Sequence, residues 1–197
     1  MQFKIYRAKE DELITGCRKR DGNAQKALYD IYSSKMYGLC HRYLKDAMEA
    51  EDVLIVAFTR IFERIDQFKG EGSFEGWIRR IVVNEALTSL RKRRNMYLDA
   101  VLEEADYQLD YRNLEDHLEA EDLMQLINAL PTGYRIVFNM YAIDGYSHKE
   151  IADSLGISEN TSKSQLSRAR TYLQKALKEQ EWMADKKLSN DESTTAG

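Results

Sequence analysis

Apolar residues return every third or fourth position over much of this chain. In "NAQKALYDIYSSKMYGLCHRYL" they fall at Ala27, Leu28, Ile31, Tyr32, Met36, Leu39, Cys40 and Tyr43, the period of a helix with one buried face. "AEDVLIVAFTRIFERIDQF" continues with Val53, Leu54, Ala57, Phe58, Ile61, Phe62 and Ile65. The glycines of "KGEGS" interrupt the stripe, and a third helix is predicted from about Phe74 with Trp77, Ile78, Ile81 and Val82 facing inward. Three such helices suffice for a compact helical domain.

The run "VLIVAF" is apolar throughout, so one helix cannot turn all of it toward one core. Ile55 and Val56 are expected at the edge or outside. Two accounts fit them: a wide buried face, or an exposed docking patch beside Glu51 and Asp52.

The pattern resumes in "LPTGYRIVFNMYAIDGYS", where Pro131 suits a helix start and Ile136, Val137, Met140 and Tyr141 form an apolar face. Ser147 and Glu150 of "SHKE" have capping-box spacing. Ile151, Ala152 and Leu155 then point inward, Gly156 marks a sharp turn, and Ser158 caps a further helix. Two short helices about a tight turn make a helix-turn-helix pattern. Near the start of the second stand Asn160, Thr161, Lys163, Ser164, Ser167 and Arg168, types able to donate to base edges in a major groove. Arg170 suits a phosphate. A plain helical hairpin with a basic outer face is the blander alternative.

Composition narrows the class. One proline and ten glycines in 197 residues favour an all-α protein. No stretch is apolar enough to span a membrane, and "MQFKIYRAKEDEL" lacks a signal-peptide core, so a cytoplasmic protein is expected. Cys17 and Cys40 have no metal-type spacing, His41, His117 and His148 complete no ligand set, and no nucleophile–base pair is recognisable. No cofactor and no enzymatic activity are expected.

Charge is unevenly spread under the formal net of −4. "DAVLEEADYQLDYRNLEDHLEAED" has Arg112 as its one cation, while Arg79, Arg80 and Arg91 to Arg94 lie before it and Lys163, Arg168, Arg170, Lys175 and Lys178 after it. Two basic lobes flank an acidic connector. The predicted organisation is an N-terminal helical domain over 8–95, an acidic linker over 96–121, a helix-turn-helix domain over 122–180, and a polar, disordered tail over 181–197. A solvated face of a long helix is an equal reading of Leu114 to Leu126.

This order of features resembles the extracytoplasmic-function (ECF) sigma factors of bacterial RNA polymerase, from about Asp11 to Leu177. "AEDV" with Phe58 and Phe62, then "FKGEGSFEGWIRRIVVNEAL", is similar to the family's N-terminal domain; "LPTGYRIVFNMYAIDGYSHKEIADSLGISENTSKSQLSRARTYL" is similar to its C-terminal domain. The resemblance implies that the helix face of Glu51, Asp52, Ile55, Val56 and Thr59 docks on the polymerase clamp. It implies that the loop of Lys69, Gly70, Glu71, Gly72, Ser73 and Phe74 captures a base flipped from the −10 element, with Arg80, Asn84 and Arg91 beside the opened strand. Asn160, Thr161, Lys163, Ser164, Ser167, Arg168 and Arg170 would read the −35 duplex. The implied partners are core RNA polymerase, promoter DNA and an anti-sigma factor. The family usually carries Gln-Glu where Ile55-Val56 stand, and valine where Ser162 stands. The rival readings are a stand-alone helix-turn-helix regulator and a helical adaptor that binds polymerase but no promoter.

Overall fold

The computed structural model describes residues 2–98 and 120–194, with side chains at 10–92 and 124–178. Most of the acidic linker (99–119), including His117, lies outside the described residues, as do the side chains of Arg93 and Arg94. Every described element is helical, in two compact units, Met1–Leu102 and Glu103–Gly197.

In the first unit, α1 (Gln2–Arg18), α2 (Gly22–Tyr43), α3 (Ala47–Glu63) and α4 (Phe74–Leu98) pack together, with a 3-10 turn at Ile65–Gln67. Asp21 and Asp46 start α2 and α3 by accepting the amides of Asn23 and Glu49, each at 2.8 Å. The predicted stripes meet in the core through Leu28, Met36, Leu39, Ala57, Ile61 and Ile78. The run from Ala27 to Tyr43 forms one continuous helix, passing unbroken through "SSK" at 33–35. Trp77 and Ile81, expected inside, are only half-buried.

No periodicity announced α1. It adds Ile14 and Cys17 to the core, and it lies against α2 where a Cβ at Gly16 would come within 2.6 Å of Ala24 Cβ. Burial raises the thiols of Cys17 and Cys40, the latter to about 12. Both are free, buried cysteines.

The second unit contains α5 (Ala120–Ala129), α6 (Thr132–Phe138), α7 (His148–Leu155) and α8 (Glu159–Thr194), with a π-helical turn at Asn139–Ile143. That turn is drawn by Asp144 N–H donating to Asn139 O and Tyr146 N–H to Met140 O, each at 2.9 Å. A π turn rotates the residues within it away from α-helical register. Tyr141, predicted on the inward face, is accordingly 37% exposed. The capping box at Ser147 and Glu150 is formed. Gly156 takes φ 67°, ψ 35°, a left-handed conformation that suits glycine, and so makes the sharp turn into α8. Ser158 Oγ accepts the Thr161 amide at 3.0 Å. Arg135 is buried and donates to Asn128 O at 3.3 Å; burial lowers its pKa.

The backbone of α8 runs on to Thr194 where an unstructured tail was expected from 181. Ala184, Lys186, Lys187 and Leu188 are good helix formers, and no glycine or proline stops the chain before Gly197.

Candidate nucleic-acid interface

Three surfaces carry the candidate residues. On α3, Glu51, Asp52, Ile55, Val56 and Thr59 are all exposed. Steps of three and four residues put them on one helix face. Ile55 is 60% exposed and Val56 46%, which excludes the wide buried face as the account of "VLIVAF". The face also carries Met48, 77% exposed, one turn before Asp52. The same four-residue step that joins Asp52 to Val56 would have found it in the sequence. Thr59 is turned back on its helix, donating to Ile55 O at 2.9 Å. An apolar strip this wet beside two carboxylates is suited to a protein partner.

The second surface is the loop ahead of α4. Lys69, Gly70, Glu71, Gly72 and Ser73 are exposed, and both glycines have positive φ, 77° and 83°. The ends of the loop are held. Arg18 of α1 donates to Phe68 O at 2.6 Å, within 3.9 Å of Asp66. Ser73 Oγ accepts the Gly76 amide at 3.3 Å, and Glu75 pairs with Lys35 at 2.6 Å and Arg79 at 3.7 Å. The loop is thus an arch on fixed footings.

Beneath it lies an aromatic floor. Phe74 packs against Phe68 at 5.0 Å, Trp77 at 5.7 Å and Tyr32 at 5.9 Å between ring centroids. At 2% exposed, Phe74 offers no free face for a base; its ring supports the arch from inside. Along α4, Arg80, Asn84 and Arg91 are exposed on one face. From the first to the last they span about 16 Å of helix axis. Arg79, in contrast, is committed to Glu75.

The third surface is the outer side of α8. Asn160, Lys163, Ser164, Ser167, Arg168 and Arg170 are exposed, Thr161 is half-buried, and Leu166, Ala169 and Leu173 hold the inner face. Ser164 donates to Thr161 O at 2.9 Å, which ties its hydroxyl to the backbone. Where a valine is usual, Ser162 is fully buried, its Oγ 2.9 Å from His148 Nδ1. The polar residue therefore seats in the α7–α8 crossing with a partner. Sequence periodicity gave no sign of that pair, or of Arg18 and Lys35 at the loop, because each joins separate elements.

Among the described residues no group of His, Cys, Asp or Glu could hold a metal ion, and no helix is long and apolar enough to cross a membrane.

Comparison with known proteins places these surfaces within recognised regions. The family model for Sigma-70 region 2 matches residues 28–96, and that for Sigma-70 region 4 matches residues 120–173. The chain is 33% identical over 178 residues to the ECF RNA polymerase sigma factor SigW of Bacillus subtilis, covering 84% of this chain and 95% of that protein. It is 29% identical over 170 residues to the ECF RNA polymerase sigma-E factor of Escherichia coli K12, covering 80% and 88%. In fold it is similar to the sigma factor RpoE in complex with the anti-sigma factor NepR from Bartonella quintana, with TM-score 0.53, 23% identity, and 78% and 96% of the two chains covered. It is similar also to CnrH in complex with the cytosolic domain of CnrY, with TM-score 0.50, 21% identity, and 86% and 97% covered.

Proposed function

This chain belongs to the extracytoplasmic-function branch of the sigma-70 family, and from that membership we propose how its surfaces divide the work of promoter recognition. It is a non-enzymatic initiation factor that binds core RNA polymerase and directs it to promoters. The α3 face of Glu51, Asp52, Ile55, Val56 and Thr59, extended by Met48, docks on the polymerase clamp. The arch from Lys69 to Ser73 captures a flipped −10 base, with Phe74 supporting it from below, and Arg80, Asn84 and Arg91 follow the opened strand. Asn160, Thr161, Lys163, Ser164, Ser167, Arg168 and Arg170 read the −35 duplex. Domain limits of 8–95 and 122–180 accord with this division, the acidic segment 96–121 joining them.

One observation carries the reading. Exposed cations line both α4 and α8, while α3 leaves Met48, Ile55 and Val56 in water. Two nucleic-acid contacts and one protein contact account for all three. A base taken from the stack needs an enclosing loop, and an arch with fixed footings supplies one without folding on contact.

An anti-sigma factor is proposed as the regulatory partner, as in the complexes of the structural relatives. The site of action is the cytoplasm, where polymerase and chromosome meet. Transcription in vitro from candidate promoters should require this chain together with core polymerase. A chain that binds a palindromic duplex tightly without polymerase, and adds nothing to transcription, would be a stand-alone regulator instead.

A further inference from the structure

Ser162 and His148 are absent from the surfaces above, and their geometry reaches beyond packing. Ser162 Oγ, wholly buried, has His148 Nδ1 as its one hydrogen-bond partner among the described residues, at 2.9 Å. A buried hydroxyl proton left without an acceptor is costly, so the hydroxyl donates to Nδ1. Nδ1 then carries no hydrogen, and the neutral ring carries it on Nε2. The imidazole lies on Tyr141, 4.5 Å between centroids and 21° between planes. The Arg170 guanidinium stands 5.9 Å from the same tyrosine ring. Nε2 makes no hydrogen bond to any described residue, and Arg170 forms no ion pair with one.

We infer that His148 Nε2–H and the Arg170 guanidinium, set on the Tyr141 ring, form a site for one DNA backbone phosphate at the edge of the −35 contact, with Ser162 fixing the imidazole tautomer. The inference rests on the −35 reading of α8. Arg170 lies two helical turns from Lys163 on the same side of α8, so the site continues the row of cations. Its donors are held by aromatic stacking and a buried hydroxyl, which leaves little side-chain freedom to lose on binding. Ser147 Oγ already takes one amide of the α7 start, that of Glu150, at 3.2 Å. A phosphate contact fixes register on the duplex and carries no sequence information. His148 is therefore a contact residue, and Ser162 and Tyr141 are positioning residues.

The test uses holoenzyme assembled from the full chain and a promoter duplex whose −35 phosphates are replaced one at a time by uncharged methylphosphonates. In the parent, one position should cost about tenfold in affinity; in His148→Phe, which keeps the aromatic stack and leaves Arg170 on the phosphate, that same position should cost about threefold, the part that belonged to Nε2–H being gone. On unmodified DNA, His148→Phe should weaken cognate and mismatched sites alike, and His148→Gln, which returns a donor, should recover most of the loss. Arg170→Ala should lower the salt slope by about one ion, whereas His148→Phe, which removes a neutral donor, should leave it unchanged. Ser162→Ala should weaken binding in the parent and have no effect in a His148→Phe background. An unaltered methylphosphonate profile in His148→Phe, or equal Ser162→Ala losses in both backgrounds, overturns the inference. Lys163→Ala and Arg168→Ala test the reading beneath it: if neither changes promoter affinity, the −35 assignment itself falls. If both weaken binding while the profile is unaltered, only the phosphate site is lost.

Discussion

Phe74 and Gly72 stand two residues apart, and substituting them should separate the loop's support from its shape. Phe74→Ala empties the aromatic floor shared with Phe68, Trp77 and Tyr32, a loss of about 3–5 kcal/mol for a buried phenylalanine. Calorimetry should show the first unit melting at lower temperature, and any loss of promoter opening follows from that. Gly72→Ala meets no atom within 4 Å but must hold φ 83°, which costs about 1–2 kcal/mol for a residue with a side chain. The fold is expected to keep its melting temperature within a few degrees, since a strained arch can relax in solvent. Permanganate reactivity of the −10 region should fall while −35 duplex binding stays at the parent level. Cys40 offers a pH test. Burial lifts its thiol from 9.0 to about 12, with Arg42 working against the rise. Folded protein keeps a proton that unfolded chain releases from about pH 9, so this stabilisation is intact below that pH and is lost as pH rises toward 12. Urea midpoints should decline across that alkaline range, and Cys40→Ala should flatten the decline.

At the scale of elements, α3 shows what a helix exposes once its core is satisfied. Ala50, Val53, Leu54, Ala57, Phe58 and Ile61 already fill the inward face, which forces Ile55 and Val56 out. Replacing both by lysine should leave stability within about 0.5 kcal/mol, as for other exposed positions. Affinity for core polymerase, measured by fluorescence anisotropy, should fall by more than about tenfold if this face is the docking surface; unchanged affinity would remove it from the interface. The same local logic explains how much was legible beforehand. α2, α3, α4 and α7 announce themselves through period, caps or a glycine turn, all written within a few residues. α1 has an ordinary share of apolar positions, seven in seventeen, but they do not form one long stripe, and it is held by distant partners, Arg18 reaching Phe68 O fifty positions on and Tyr32 bonding Glu10. Tyr141 escaped because a π turn breaks the period that placed it inward. The candidate surfaces were readable as charge and exposure. The loop footings and the Ser162–His148 pair were not, because each depends on two elements meeting in space.

For the whole molecule the question is how an acidic chain grips DNA. Its ten carboxylates from Asp99 to Asp122 face one cation, Arg112, and with that segment set aside the formal net charge of −4 becomes +5. That surplus lies wholly before the linker, +5 over residues 1–98, while residues 123–197 net zero and offer DNA only the cations clustered on α8; the linker masks both at long range. Screening limits such masking to about 10 Å at moderate salt, so its effect on free protein should be largest in dilute buffer. On polymerase the situation changes. The enzyme supplies nonspecific grip, and with both units fixed on one scaffold the second DNA contact becomes effectively intramolecular. Replacing the linker's Asp and Glu by Asn and Gln should then raise the affinity of the free chain for promoter DNA severalfold at low salt. The gain should shrink as salt is added and be small within the holoenzyme. If the neutralised chain binds free DNA no better than the parent at any salt concentration, the linker does not restrain it, and the weak intrinsic grip must come from how few phosphates each unit can reach.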